Sequence, residues 1–184
     1  MSQEDQPPKP KLIHPTAYER GMTELHFAAY CNDAEQVASL LSIGAAVDAR
    51  DDNGWTPLHW SIDMAQATRG PEVVVELLLR AGASANAVDS SGNSVLMMAC
   101  DRNNENIVDQ LIRAGADVTL RSPKTTPLHR AAGSNFYEVI PRLLALGADP
   151  KALDGAGRTP KQLARRRGFA HSYLALKRAE RPAT

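Results

Sequence analysis

Cysteine is scarce in this chain. Only Cys31 and Cys100 occur among 184 residues, with no CxxC pair, which argues against a disulfide scaffold or a cysteine-based zinc site. Both fall where helices should pack, so they are read as small core hydrophobes in a reducing compartment. No apolar run approaches the ~20 residues that a membrane helix needs, and no membrane partner is expected. The polar, proline-rich opening MSQEDQPPKPK lacks a secretion signal's apolar centre, so a cytoplasmic location is expected. Residues 1–14 carry little apolar surface and are read as a flexible tail ahead of one domain over residues 15–181. Phosphate-cradling and nucleophile motifs are also missing: there is no P-loop, GxSxG or HExxH, and no GxGxxG after a strand. The expectation is a protein that is not an enzyme, with no metal and no cofactor. Net charge is zero, but it is unevenly spread: residues 151–184 sum to +7 and the remainder to −7. Such asymmetry can steer partners.

What is present is repetition. TELH stands at Thr23–His26, TPLH at Thr56–His59 and Thr126–His129, with the divergent copies SVLM at Ser94–Met97 and TPKQ at Thr159–Gln162. The steps between them are 33, 38, 32 and 33 residues. Threonine before proline starts a helix: its hydroxyl caps free N–H groups, and proline suits the first helical position. Leu25, Leu58, Leu96 and Leu128 then point inward. A second helix follows with apolar residues at i, i+1, i+4 and i+5, as in Val74, Val75, Leu78 and Leu79, making one broad apolar face. Gly82, Gly115 and Gly147 come next, suited to left-handed C-terminal caps. Polar replacements at Gln36, Ser172 and Lys177 predict terminal repeats that face water on one side.

This pattern resembles an ankyrin repeat array, whose 33-residue period and T-P-L-H signature it shares. The resemblance implies an all-α solenoid of helix-turn-helix units joined by β-hairpin-like loops, with repeats at about 18–50, 51–88, 89–120, 121–153 and 154–181. It also implies that His26, His59 and His129 bond locally and tie hairpin to helix. Recurrence at the structural period favours that role over catalysis, since a general base is needed once, beside a nucleophile. Departures from the pattern are expected to show in three places. The segment RSPKTTPLH lacks a turn glycine and is one residue short. Pro141 interrupts a second helix. The second repeat carries five extra residues around 63–71.

The resemblance further implies that a protein partner, of unknown identity, binds the concave surface made by hairpin tips and first helices. Mapping the non-repeating positions onto that surface gives Met22, Tyr30, Arg50, Asn53, Trp55, Asp63, Met64, Asn93, Asp101, Arg102, Lys124, Ser134, Arg158 and Arg166. Trp55 is the foremost candidate, because tryptophan is a frequent binding hot spot; Trp60, at a position usually leucine, is read as core. An inhibitor that occludes an enzyme or toxin is the alternative within binding. Nucleic acid is disfavoured, because the basic RTPKQLARRRGF lacks interleaved aromatics. The array is expected to be monomeric on its own. Asn86 resembles asparagines that are hydroxylated in some ankyrin proteins, although an ordinary turn role suits it.

Overall fold

The computed structural model describes residues 20–63 and 70–179. The expected tail at 1–14, Met64 and most of the insertion at 63–71 lie outside the described residues. Within them are ten helices, two per repeat: α1 Glu24–Tyr30 and α2 Ala34–Ser42; α3 Pro57–Asp63 and α4 Pro71–Arg80; α5 Val95–Asp101 and α6 Glu105–Arg113; α7 Pro127–Gly133 and α8 Ile140–Ala145; α9 Pro160–Arg167 and α10 Ala170–Ala179. The odd-numbered helices stack in series as one layer. The even-numbered helices form a second layer, with α2 on α4, α4 on α6 and α8 on α10.

The caps and apolar faces act as the sequence indicates. Thr23, Ser94, Thr126 and Thr159 each accept a hydrogen bond from the backbone N–H three residues on. Leu25, Leu58, Leu96 and Leu128 are buried, as are Val74, Val75, Leu78, Ile107, Val108, Leu111, Val139, Ile140 and Leu143. Gly44, Gly82, Gly115 and Gly147 take φ of +85° to +99° just past the second helices, a region costly for a side chain with a Cβ. Ser172 departs from the expectation. It is buried, and its Oγ donates to Asn135 Oδ1 at 3.3 Å, linking the last two repeats instead of facing water.

Hairpins between repeats are closed by aspartate. Asp51 Oδ1 accepts from Asn53 N and Trp55 N at 2.9 and 2.8 Å, and Asp89 and Asp154 repeat the arrangement. In the short RSPKTT loop Ser122 takes over, its Oγ accepting from Lys124 N and Thr125 N. Successive hairpins are also stitched by single backbone bonds: Asp52 N to Arg20 O, Ser90 N to Asn53 O and Gly155 N to Lys124 O, each 3.0 Å. The matching donor in the fourth repeat is Pro123, which has no N–H, so this edge is interrupted there. Among the described residues only an isolated bridge, Val88 to Ser94, has strand pairing.

Pro141 shortens its helix. α8 begins at Ile140 without a side-chain cap and has six residues, against nine in α2 and α6.

Candidate functional site: the first-helix face

The register counted from each cap organises this face. Immediately before the cap stand Met22, Trp55, Asn93, Thr125 and Arg158. Four residues after it come Phe27, Trp60, Met98, Arg130 and Leu163; seven after, Tyr30, Asp63, Asp101, Gly133 and Arg166; eight after, Cys31, Met64, Arg102, Ser134 and Arg167.

The seventh residue of a repeat is held by the fourth and eighth residues of the next. Trp60 meets Tyr30 edge-on, with ring centroids 5.5 Å apart. Arg102 pairs with Asp63. Arg130 Nη1 donates to Asp101 Oδ2 at 2.6 Å, and Ser134 Oγ donates to Asp101 Oδ1 at 3.3 Å. At Gly133 a Cβ would lie 3.2 Å from Leu163 Cδ2, and Arg167 donates to its carbonyl instead. One geometric slot is thus filled in turn by aromatic edges, ion pairs and a bare backbone. Arg166 occupies the seventh position of the last unit and is exposed.

The expected partner-facing residues therefore divide. Asp63, Asp101 and Arg102 are half-buried within these links. Asn93 joins them: its Oδ1 accepts from Arg130 Nη2 at 3.0 Å, and its Nδ2 donates to Asp89. Arg50 clips adjacent hairpins by donating to the Gly54 and Val88 carbonyls, and Arg158 pairs with Asp154 at 2.8 Å. Met22 does not project: it is buried against Trp60, with Phe27 and Trp55 packed alongside, because the large Trp60 side chain covers it. Tyr30, Asn53, Lys124 and Arg166 are exposed, and Ser134 is half-buried.

Trp55 is half-buried. Its ring lies 4.8 Å from that of Trp60 and 6.1 Å from that of His59. Trp60 is core, as expected, and its Nε1 donates to Asp51 Oδ2 at 3.1 Å. Trp55 and Trp60 line a hollow of about 420 Å³ with Arg20, Asn53, Asp63 and Asp89. A larger one, about 660 Å³, lies on the opposite layer between α8 and α10, lined by Tyr137, Pro141, His171 and Leu174.

Each periodic histidine is enclosed in its own cap. Thr23 N donates to His26 Nδ1 at 3.0 Å and Thr56 N to His59 Nδ1 at 3.1 Å, so the ring proton sits on Nε2. In two of the three that proton reaches across to the next repeat: His26 Nε2 donates to Trp55 O at 3.0 Å and His129 Nε2 to Arg158 O at 2.8 Å, whereas His59 Nε2 is buried without a hydrogen bond among the described residues. The tie between hairpin and helix implied by the resemblance is thus also a tie between repeats. Burial lowers the pKa of all three, that of His59 to about 4, so the rings are neutral at pH 7. Protonation would also set a second N–H against the cap's donor. At Asp89 burial opposes ionisation, yet donors from Asn93 and Ser91 outweigh it and hold the pKa below the usual value. Among the described residues no group of three or more His, Cys, Asp or Glu side chains is placed to hold a metal ion.

Several features are poorly marked in the sequence. Cys100 is buried, but Cys31 is exposed, a correction to its reading as a core residue; it holds the eighth position, which in later repeats points at the face. Asn32, Asn103 and Asn135 adopt φ of +54° to +59° nine residues after their caps, and only their shared register gives them away. Asn86 bridges repeats, its Nδ2 donating to Gly115 O and its Oδ1 accepting from Asp117 N.

Known proteins match over most of this chain. The family model described as ankyrin repeats in three copies matches residues 64–154, and the single ankyrin repeat model matches residues 20–52. The tyrosine-protein kinase HTK16 of Hydra vulgaris is 36% identical over 150 residues, which is 77% of this chain and 19% of the kinase. The nuclear factor NF-kappa-B p105 subunit of Gallus gallus is 32% identical over 163 residues, 85% of this chain and 16% of that protein. The ankyrin repeat and SOCS box protein 16 of Mus musculus is 35% identical over 182 residues, 78% of this chain and 40% of that protein. The chain thus spans less than half the length of each of these relatives. Ankyrin repeats are generally protein-interaction modules without catalysis. The fifth unit, beyond the matched residues, carries the same cap at Thr159 and the same paired helices. From Arg20 to Ala179, by stack, caps and sequence alike, this chain belongs to the ankyrin repeat family.

Proposed function

We propose that this chain is a non-catalytic binding module, residues 15–181, that holds a protein partner against its first-helix face and hairpin tips. The observation that carries the reading is the placement of its aromatic residues. Of nine in the chain, Phe27, Tyr30, Trp55 and Trp60 gather on this face in the first two repeats. Clustered aromatics with partly accessible edges are the usual anchors of an interface. Rigid display is the mechanism. Inter-repeat links fix the surrounding side chains before binding, so little freedom is lost when an interface of ~800 Å² per partner forms. The exposed thiol of Cys31 and the buried one of Cys100 fit a reducing, cytoplasmic setting.

The test is Trp55→Ala in affinity capture from native lysate, followed by titration of the captured partner. A loss of about 2 kcal/mol or more in affinity is expected, with the helical circular dichroism signal retained. Undiminished affinity would remove Trp55 from the interface. Adding this chain to an assay of the captured partner then separates an inhibitor, which lowers activity, from an adaptor, which does not.

A further inference from the structure

We propose that the first-helix face takes an extended segment of a partner protein with a bulky apolar side chain at one end and a run of carboxylates at the other. This rests on the partner-binding reading above and gives the partner a chemistry. The two ends of the face differ in kind. Over repeats one and two it presents Tyr30 and Trp55, and three carboxylates beside the tryptophan rings are already engaged. Asp51 accepts from three donors within its own repeat, Asp89 likewise, and Asp63 is paired with Arg102.

Over repeats four and five the balance reverses. Lys124, at a hairpin tip, and Arg166, at the seventh position of the last unit, are exposed. Among the described residues no carboxylate lies within ion-pair distance of either. The nearby acids are spent locally: Asp154 on Arg158 and its hairpin, Asp149 on the backbone of Lys151. Three repeat steps separate Trp55 from Arg166. At roughly 8–10 Å per packed helix this is about 30 Å, the reach of about nine residues of extended chain at ~3.3 Å each. An apolar anchor and an acidic run at that separation engage both ends at once, which neither end achieves alone.

Fluorescence anisotropy with a labelled synthetic peptide tests this. The peptide carries a Leu-Phe pair and a run of glutamates, held about nine residues apart by a Gly-Ser spacer, and is made in both orders. At least one order should bind about tenfold more tightly than its lysine counterpart, and the binding should weaken as salt rises. The double variant K124E/R166E alters only exposed side chains and should weaken that binding by about tenfold, as should Trp55→Ala. Three results overturn the proposal: equal affinity for glutamate and lysine peptides, indifference to K124E/R166E, or tighter retention of a single-stranded oligonucleotide. Should a captured natural partner be lost on Trp55→Ala yet held normally by K124E/R166E, the acidic segment is wrong and the binding face is still right.

Discussion

At the scale of single residues, the periodic histidines make folding sensitive to acid. The His59 ring titrates near 6.5 when unfolded and near 4 when folded, because burial disfavours its cation. The unfolded chain therefore binds the proton first. Stability is held above pH 6.5 and lost as pH falls towards 4, by on the order of 3 kcal/mol from this ring. His26 and His129 shift in the same direction. Melting temperature is expected to fall between pH 7 and 5. His59→Met, which copies what Met97 does in the third repeat, should flatten that decline; an unchanged profile in His59→Met would assign the acid sensitivity elsewhere. These roles were legible because Thr and His recur three residues apart at the repeat period. Met22 and Cys31 were not legible, since their burial is decided by neighbours that no local pattern names: Trp60 covers the first, and among the described residues the second is exposed.

At the scale of elements, caps and hairpins carry distinct costs. Thr126 Oγ1 accepts from His129 N and bonds His129 Nδ1 at 2.8 Å, so Thr126→Ala should cost about 1 kcal/mol or more in urea unfolding. Gly54 and Gly82 both sit at positive φ, +72° and +93°, but differ in their surroundings. A Cβ on Gly54 would stand 2.7 Å from Ser90 Oγ and 3.0 Å from Ser90 N, whereas one on Gly82 meets nothing within 4 Å. Gly82→Ala should therefore cost about 1 kcal/mol of backbone strain, and Gly54→Ala distinctly more, because the hairpin stitch at Ser90 must also shift. Equal midpoints would show that the stitch is soft. Helix pairs, caps and the four-residue apolar faces were readable from spacing alone. The tightened Ser122 turn was readable only as an anomaly, and the broken stitch at Pro123 not at all, because it depends on which amide faces the preceding hairpin.

At the scale of the whole molecule, repeats are joined by a ladder whose rungs change chemistry while keeping their place. The Asp63–Arg102 and Asp101–Arg130 pairs are about a third exposed, so a double-mutant cycle on either should return only ~0.5–1 kcal/mol. They link adjacent repeats across the face, which the sequence could not reveal, because the residues involved read equally well as partner contacts. The periodic positions build the stack, and the proposal assigns binding to the residues left over on the first-helix face. Hydrogen exchange of the chain with and without its captured partner tests this most directly. Added protection should fall on α1, α3, the hairpin at Asn53–Trp55 and the cationic end at α9. Protection confined to the opposite layer, at the hollow between α8 and α10, would contradict it.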